Sequence, residues 1–188
     1  MANVEVRHAP SATEVAVHHD DDTPPNLDAL TGLPSADALR ERLTDAIEHA
    51  RSGRHELALL CVDCDDFKTV TEVLGREHGD EVLREIARRF SRQLEENDTA
   101  ARLEADHFGI VMSELTDPDE AASLAGSLLI SLVEPIRMEK CQASLSASIG
   151  IAVYPRDGGD ADTLLSVAAD TVARIKRQGG NAYAFNRP

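Results

Sequence analysis

Apolar residues recur at two distinct periods along the chain, and these periods divide it into helices and strands. Ala36, Leu39, Leu43, Ala46, Ile47 and Ala50 follow the 3.6-residue repeat of a helix capped by Ser35 and ended by Gly53. Leu57-Ala-Leu-Leu-Cys-Val62 shows no polar alternation, which predicts a central strand covered on both faces, with Asp63 at its C-terminal end. Gly75 and Gly79 are expected to bracket a turn before a helix from about Asp80 to Leu94, whose buried face carries Val82, Leu83, Ile86, Ala87, Phe90 and Leu94. In Ala101 to Met112, Leu103 closes one apolar run and Phe108, Ile110 and Met112 form the next. Glu104 to His107 therefore fall at the tip of a hairpin.

Asp117-Pro-Asp-Glu120 opens a further helix with an apolar stripe of Leu124, Leu128, Leu129 and Leu132. Gln142 to Tyr154 alternates apolar residues with polar or small ones, so a half-buried, antiparallel strand is expected. A last helix, Asp162 to Gln178, ends at Gly179-Gly180, and Ala182–Phe185 reads as a short edge strand. The order predicts an α/β (α+β) domain, a β-α-β-β-α-β arrangement with a central antiparallel or mixed sheet flanked by helices.

Composition narrows this picture. A chain of 188 residues buries roughly 70% of its unfolded surface without metal or disulfide help. Aromatics are only 3%, so the core must be aliphatic. The net charge of -15 argues against a nucleic-acid or anionic-membrane surface, because both rest on clustered Lys and Arg. No apolar run has the length of a membrane span and no signal-type segment opens the chain, so a cytoplasmic protein without membrane insertion is expected. Residues 1-26, including His18-His-Asp-Asp-Asp22, lack periodicity and read as a flexible lead-in, with the domain at 27-188. Cys61 and Cys64 form a Cys-x-x-Cys inside an apolar strand with no second pair to complete a zinc site, so a packing role is expected.

The candidate chemistry lies in two carboxylates. Asp63 ends the central strand and Asp106 sits at the hairpin tip, and neighbouring strands would bring them together as a divalent-cation site. The flanking motifs are dense and ordered: Asp28-x-Leu-Thr-Gly-Leu-Pro34, Asp63-x-Asp65-x-Phe67-Lys68, Gly79-Asp80-x-x-Leu83, Ser148-Ile-Gly-Ile-Ala-x-Tyr-Pro155 and Lys176-x-x-Gly179-x-Asn181. In these the chain resembles a GGDEF domain, the diguanylate cyclase module. The resemblance implies a nucleotide-cyclase-like fold in which two subunits each present one GTP. Metal-activated 3′-hydroxyls then attack the α-phosphates to give cyclic di-GMP. It further implies metal ligation by Asp63 and Asp106, phosphate contacts from Lys68 and Lys176, and guanine recognition by Asp80.

The signature itself is broken. Glu104-Ala105-Asp106-His107-Phe108 stands where the family has Gly-Gly-Asp/Glu-Glu-Phe, so only the third and fifth positions hold. Glu104 brings bulk and negative charge towards a nucleotide, and His107 replaces the second acid. Thr71 stands where a guanine-binding Asn is expected, Gly180 where a cationic phosphate contact is expected, and Ala169 and Ala173 replace Asp and Tyr. The product-inhibition motif Arg-x-x-Asp reads Glu95-Glu96-Asn97-Asp98, and Glu repels the phosphate that Arg would grip, so no cyclic di-GMP is expected there.

The expectation is thus a degenerate domain with no competent catalytic set, serving as a regulatory or dimerisation module. Its expected partners are GTP, a second copy of the chain, and a phosphodiesterase or other signalling domain. Mg or Mn is expected only with bound GTP. The alternatives are a weakly active cyclase and a protein-interaction domain that takes no nucleotide.

Overall fold

The computed structural model describes residues 3–6, 26–139 and 141–186. Five strands form the central sheet in the order β3-β4-β2-β7-β8: β2 (Glu56–Asp65), β3 (Thr99–Glu104), β4 (His107–Leu115), β7 (Ser146–Tyr154) and β8 (Ala182–Phe185). Strand β2 pairs antiparallel with both β4 and β7, and β8 joins β7 in parallel. The uninterrupted apolar run of β2 is thus central, with Leu57 to Leu60 fully buried.

Helices cover both faces. Helices α1 (Ala36–Gly53) and α5 (Ala161–Arg177) close one core, in which Leu39, Leu43 and Leu164 meet Leu57, Leu59 and Cys61. Helices α2 (Phe67–Leu74), α3 (Arg76–Ser91) and α4 (Pro118–Val133) cover the other face, where Phe90 meets Phe108 edge-on at 5.4 Å. Cys61 and Cys64 lie in opposite cores, buried and unlinked. Burial raises the Cys61 thiol to about 12, so both sulfurs pack as small apolar groups.

Local signals agree with several helix starts. Ser35 accepts from Ala38 N–H, Asp117 from Asp119 N–H and Asp160 from Thr163 N–H, each capping its helix. Three expectations are corrected. Gly79 does not end a turn but lies inside α3, because the two helices meet there. A Cβ at Gly79 would stand 2.6 Å from the Thr71 methyl. Helix α3 also stops at Ser91 rather than at Leu94.

The strand expected over Gln142 to Tyr154 is divided at Leu145, and its second part is central rather than half-buried. The alternating small residues that suggested a polar face are small because α5 crosses them. A Cβ on Gly150 would lie 2.1 Å from the Ala168 carbonyl oxygen. The first part, β6 (Cys141–Ser144), belongs to a small separate sheet with β1 (Asn3–Val6) and β5 (Ile136–Arg137). Of the expected lead-in, Asn3–Val6 forms that added strand, while residues 7–25 lie outside the described residues.

Candidate functional site

The register of the sheet decides which carboxylates meet. Strand β2 pairs with β4 so that Asp63 faces His107, and the hairpin turn is Ala105-Asp106 between the paired residues Glu104 and His107. Ligand atoms of Asp63, Asp106 and His107 all lie within 4.8 Å of one another. The expected approach of Asp63 and Asp106 is therefore met, and His107 joins them.

The turn is held in place from below. Arg102 donates to the Ala105 carbonyl through Nε at 2.9 Å and Nη2 at 2.7 Å, and its Nη1 reaches both oxygens of Asp28. Asp28 in turn accepts from the backbone and hydroxyl of Thr31. The Asp28 to Pro34 segment is thus a pedestal for the tip, a role that its turn residues alone did not disclose. Ala105 has φ 46°, a left-handed conformation that glycine adopts without penalty and alanine does not.

Charge within the group is unevenly matched. Lys176 Nζ donates to one oxygen of Asp63 at 2.6 Å, and His107 Nε2 donates to the other at 2.9 Å. Half-burial pushes the Asp63 carboxyl up, but these two donors outweigh it and hold its pKa below the ordinary value. The hydrogen bond to Asp63 raises His107 above its ordinary value against partial desolvation. Asp106 is raised by burial and by the charge of Asp63, and among the described residues its carboxylate joins no ion pair. Glu104 turns outward, 80% exposed, with Oε1 3.8 Å from His107 Nδ1. The bulk expected to crowd a ligand there is directed into water.

The remaining predicted contacts stand apart from this group. Lys68 lies exposed in the first turn of α2, 3.7 Å from Glu72. Asp80 is half-buried in α3 and makes no hydrogen bond or ion pair with the Asp63 group among the described residues. Thr71 spends its hydroxyl on the Lys68 carbonyl and packs its methyl against α3. Gly180 has φ 70°, and a Cβ there would stand 2.9 Å from an Asp65 carboxylate oxygen, so a cationic side chain at that position would require the Asp65 side chain to shift. Asp98 accepts from the backbone of Glu95 and is raised by burial, in a cavity shared with Glu95, Glu114, Asp117, Asp119 and Glu120, a poor setting for phosphate.

Two features escaped the sequence. Asp65 accepts from Ser146 Oγ, Ser148 Oγ and the Asn181 backbone N–H, anchoring the turn after α5 to the sheet. An apolar cavity of about 290 Å³ opens beside Asp63, His107 and Lys176, walled by Leu103, Phe108, Val172 and the two alanines 169 and 173. The alanines were visible as departures from a pattern, but the space they leave needed α5 placed over β7 and β2, beside β4.

By donor chemistry, two carboxylates and an imidazole suit a divalent cation of borderline softness. They do not fit Mg²⁺ taken alone, since Mg²⁺ takes oxygen ligands and keeps several waters. Both oxygens of Asp63 are, besides, already hydrogen-bonded.

Comparison with known proteins agrees with the fold. The model of the family described as "Diguanylate cyclase, GGDEF domain" matches residues 25–182. The bifunctional diguanylate cyclase/cyclic di-GMP phosphodiesterase MucR of Pseudomonas aeruginosa is 37% identical over 158 residues, covering 84% of this chain and 23% of MucR. The cyclic di-GMP phosphodiesterase NbdA of the same organism is 33% identical over 161 residues, covering 85% of this chain and 20% of NbdA. The chain thus spans about a fifth to a quarter of the length of these relatives. A solved structure comprising only the GGDEF domain of TpbB (YfiN) from P. aeruginosa superposes with a TM-score of 0.84 at 34% identity, covering 86% of this chain and 94% of that one. With the family model running from residue 25 through β2, β3, β4 and β7 to the first residue of β8, this chain belongs to the GGDEF domain family.

Proposed function

We propose that the chain is a catalytically silent GGDEF domain acting as a regulatory or dimerisation module in cyclic di-GMP signalling, with GTP as an allosteric ligand. The observation that carries this reading is the state of Asp63. The carboxylate that would grip a divalent cation is hydrogen-bonded on both oxygens, to the Lys176 ammonium and the His107 imidazole. The chain's own cationic groups thus take up the charge that an ion would neutralise, and Asp106 is left as the one unpaired acid of the group. Any Mg²⁺ or Mn²⁺ arrives with the nucleotide, whose phosphate oxygens supply the hard ligands that the group lacks. Relatives bearing cyclase and phosphodiesterase names support a place in the same signalling chemistry.

The test is a calorimetric titration of GTP with Mg²⁺ into the protein and into Asp106→Ala, followed by a long incubation searched for cyclic di-GMP. The expected result is saturable GTP binding weakened in the variant, with no product. GTP binding absent from both proteins would instead leave a protein-interaction domain without nucleotide. A second reading, a weak cyclase, rests on the survival of both acids within 4.8 Å. Product formed by the parent chain and abolished in Asp63→Ala would establish it. The triple change Glu104→Gly, Ala105→Gly and His107→Glu is expected to raise GTP affinity, and an unchanged affinity would shift the defect to Thr71 and Gly180.

A further inference from the structure

We propose that the outward face of α4, with Tyr183 of β8 beside it, is the surface through which the chain pairs antiparallel with a second copy of itself. The inference rests on the dimerisation half of the reading above and gives it a surface, one that shares no residue with the Asp63, Asp106 and His107 group.

The composition of α4 comes first. From Ala121 to Val133 it carries no charged residue, in a chain of which 28% is charged. One stripe, Ala121, Ala125, Leu128 and Leu132, is buried against the sheet. Away from that stripe Ile130 is 69% exposed and Val133 60%, and Tyr183, which borders Gly126, is 41% exposed. A helix that is apolar well beyond its core stripe is ordinarily covered there too, and an exposed apolar patch marks an interaction surface.

Gly126, at the middle of α4, points the same way. A Cβ there would meet Tyr183 Cε1 at 3.9 Å, an ordinary contact, so among the described residues nothing in its own chain requires glycine. Glycine inside a helix is unfavourable relative to alanine. What it permits is the close approach of another backbone, and the centre of α4 is where an antiparallel copy would cross.

Charge at the two ends selects a second copy as the occupant. The first turn carries Asp119 and Glu120 after the cap Asp117. At the other end Arg89 donates to the Ser131 and Glu134 carbonyls, and Arg84, Arg88 and Arg137 share its cavity. Arg88 and Arg89 pair with Glu85, whereas Arg84 and Arg137 are exposed and join no ion pair among the described residues. An antiparallel pair sets the acids of each copy against the arginines of the other, twice by symmetry, where a parallel pair would oppose acid to acid. The net charge of -15 makes two copies repel over most of their surface, so the uncharged stripe with its complementary ends is where they meet. Helix α4 is about 24 Å long, which gives a contact at the small end of specific interfaces and micromolar association.

The test is sedimentation velocity of the full chain, free of nucleotide, across a micromolar concentration series. The expected result is a reversible monomer–dimer equilibrium. Ile130→Glu weakens it by at least about tenfold and leaves the melting temperature of the dilute protein unchanged. Gly126→Ala raises that melting temperature yet weakens the dimer. Asp119→Arg and Arg137→Glu each weaken self-association, and the two variants pair with one another when mixed, because their reversed ends match.

A dimer of equal strength in the parent chain and Ile130→Glu would overturn this surface while leaving a dimerisation module that uses another. A parent chain monomeric throughout would overturn both the surface and that half of the reading, and the GTP titration would still decide the nucleotide half. Charge-reversed variants that do not pair on mixing would overturn the antiparallel arrangement. Ile130→Ser, matching the serines already exposed on α4, replaces the glutamate variant should that one fold poorly.

Discussion

Asp63 and Asp65 stand two residues apart on one strand, and their surroundings separate structure from chemistry. Asp65 is met by two serine hydroxyls and a backbone N–H, neutral donors fixed by the sheet and by the turn after α5. Asp63 is met by a lysine, a histidine and a second acid, groups whose charge can be exchanged for that of a ligand. A carboxylate satisfied by neutral donors fastens the fold. One balanced by side-chain cations beside a competing carboxylate is kept ready to change partners.

Breaking the structural half of this contrast should have the largest effect. Asp65→Ala removes three hydrogen bonds and leaves the fully buried Ser148 hydroxyl without its carboxylate partner, so a loss of about 3 kcal/mol in urea-unfolding stability is expected. An unchanged midpoint would deny Asp65 its anchoring role. On the other half, Lys176→Met should cost only about 1 kcal/mol, because the Lys176 side chain is 37% exposed and its pairing is screened.

The contrast also predicts a pH signature. The folded pKa of His107 is raised by its hydrogen bond to Asp63, so its contribution is fully present below the ordinary value of 6.5 and is lost as pH rises through the raised one. With chelator present, the melting-temperature gap between the parent chain and His107→Gln should therefore narrow from mildly acidic to alkaline pH. A gap that widens would reverse the assigned sign. The smallest effect is expected at the tip, where Ala105→Gly relieves a left-handed alanine and should add about 0.5 kcal/mol in thermal unfolding.

Much of the site was legible in the order of residues. Asp63 at the end of an apolar run and Asp106 at a polar bend follow from periodicity alone, as do the caps Ser35 and Asp117. The broken signature, with Glu104 and His107 in place of glycine and acid, is likewise plain in the sequence. Where expectation failed, the missing information was a neighbour in space. Gly79 resembled a turn glycine because nothing local reveals that α2 will press on α3. The small residues of β7 resembled a solvent face because the helix that covers them lies later in the chain.

The sequence by itself determined the helix and strand periods, the aliphatic core and the family, since these depend on local pattern and on motifs in order. Only the tertiary structure decided that Lys176, 113 residues from Asp63, would lay its ammonium on that carboxylate, and that His107 would turn inward while Glu104 turned out. It also placed the alanines of α5 beside the tip to leave an apolar cavity. The physical reason is that charge balance and empty space depend on distances across the sheet, which register and helix packing set and residue spacing along the chain does not.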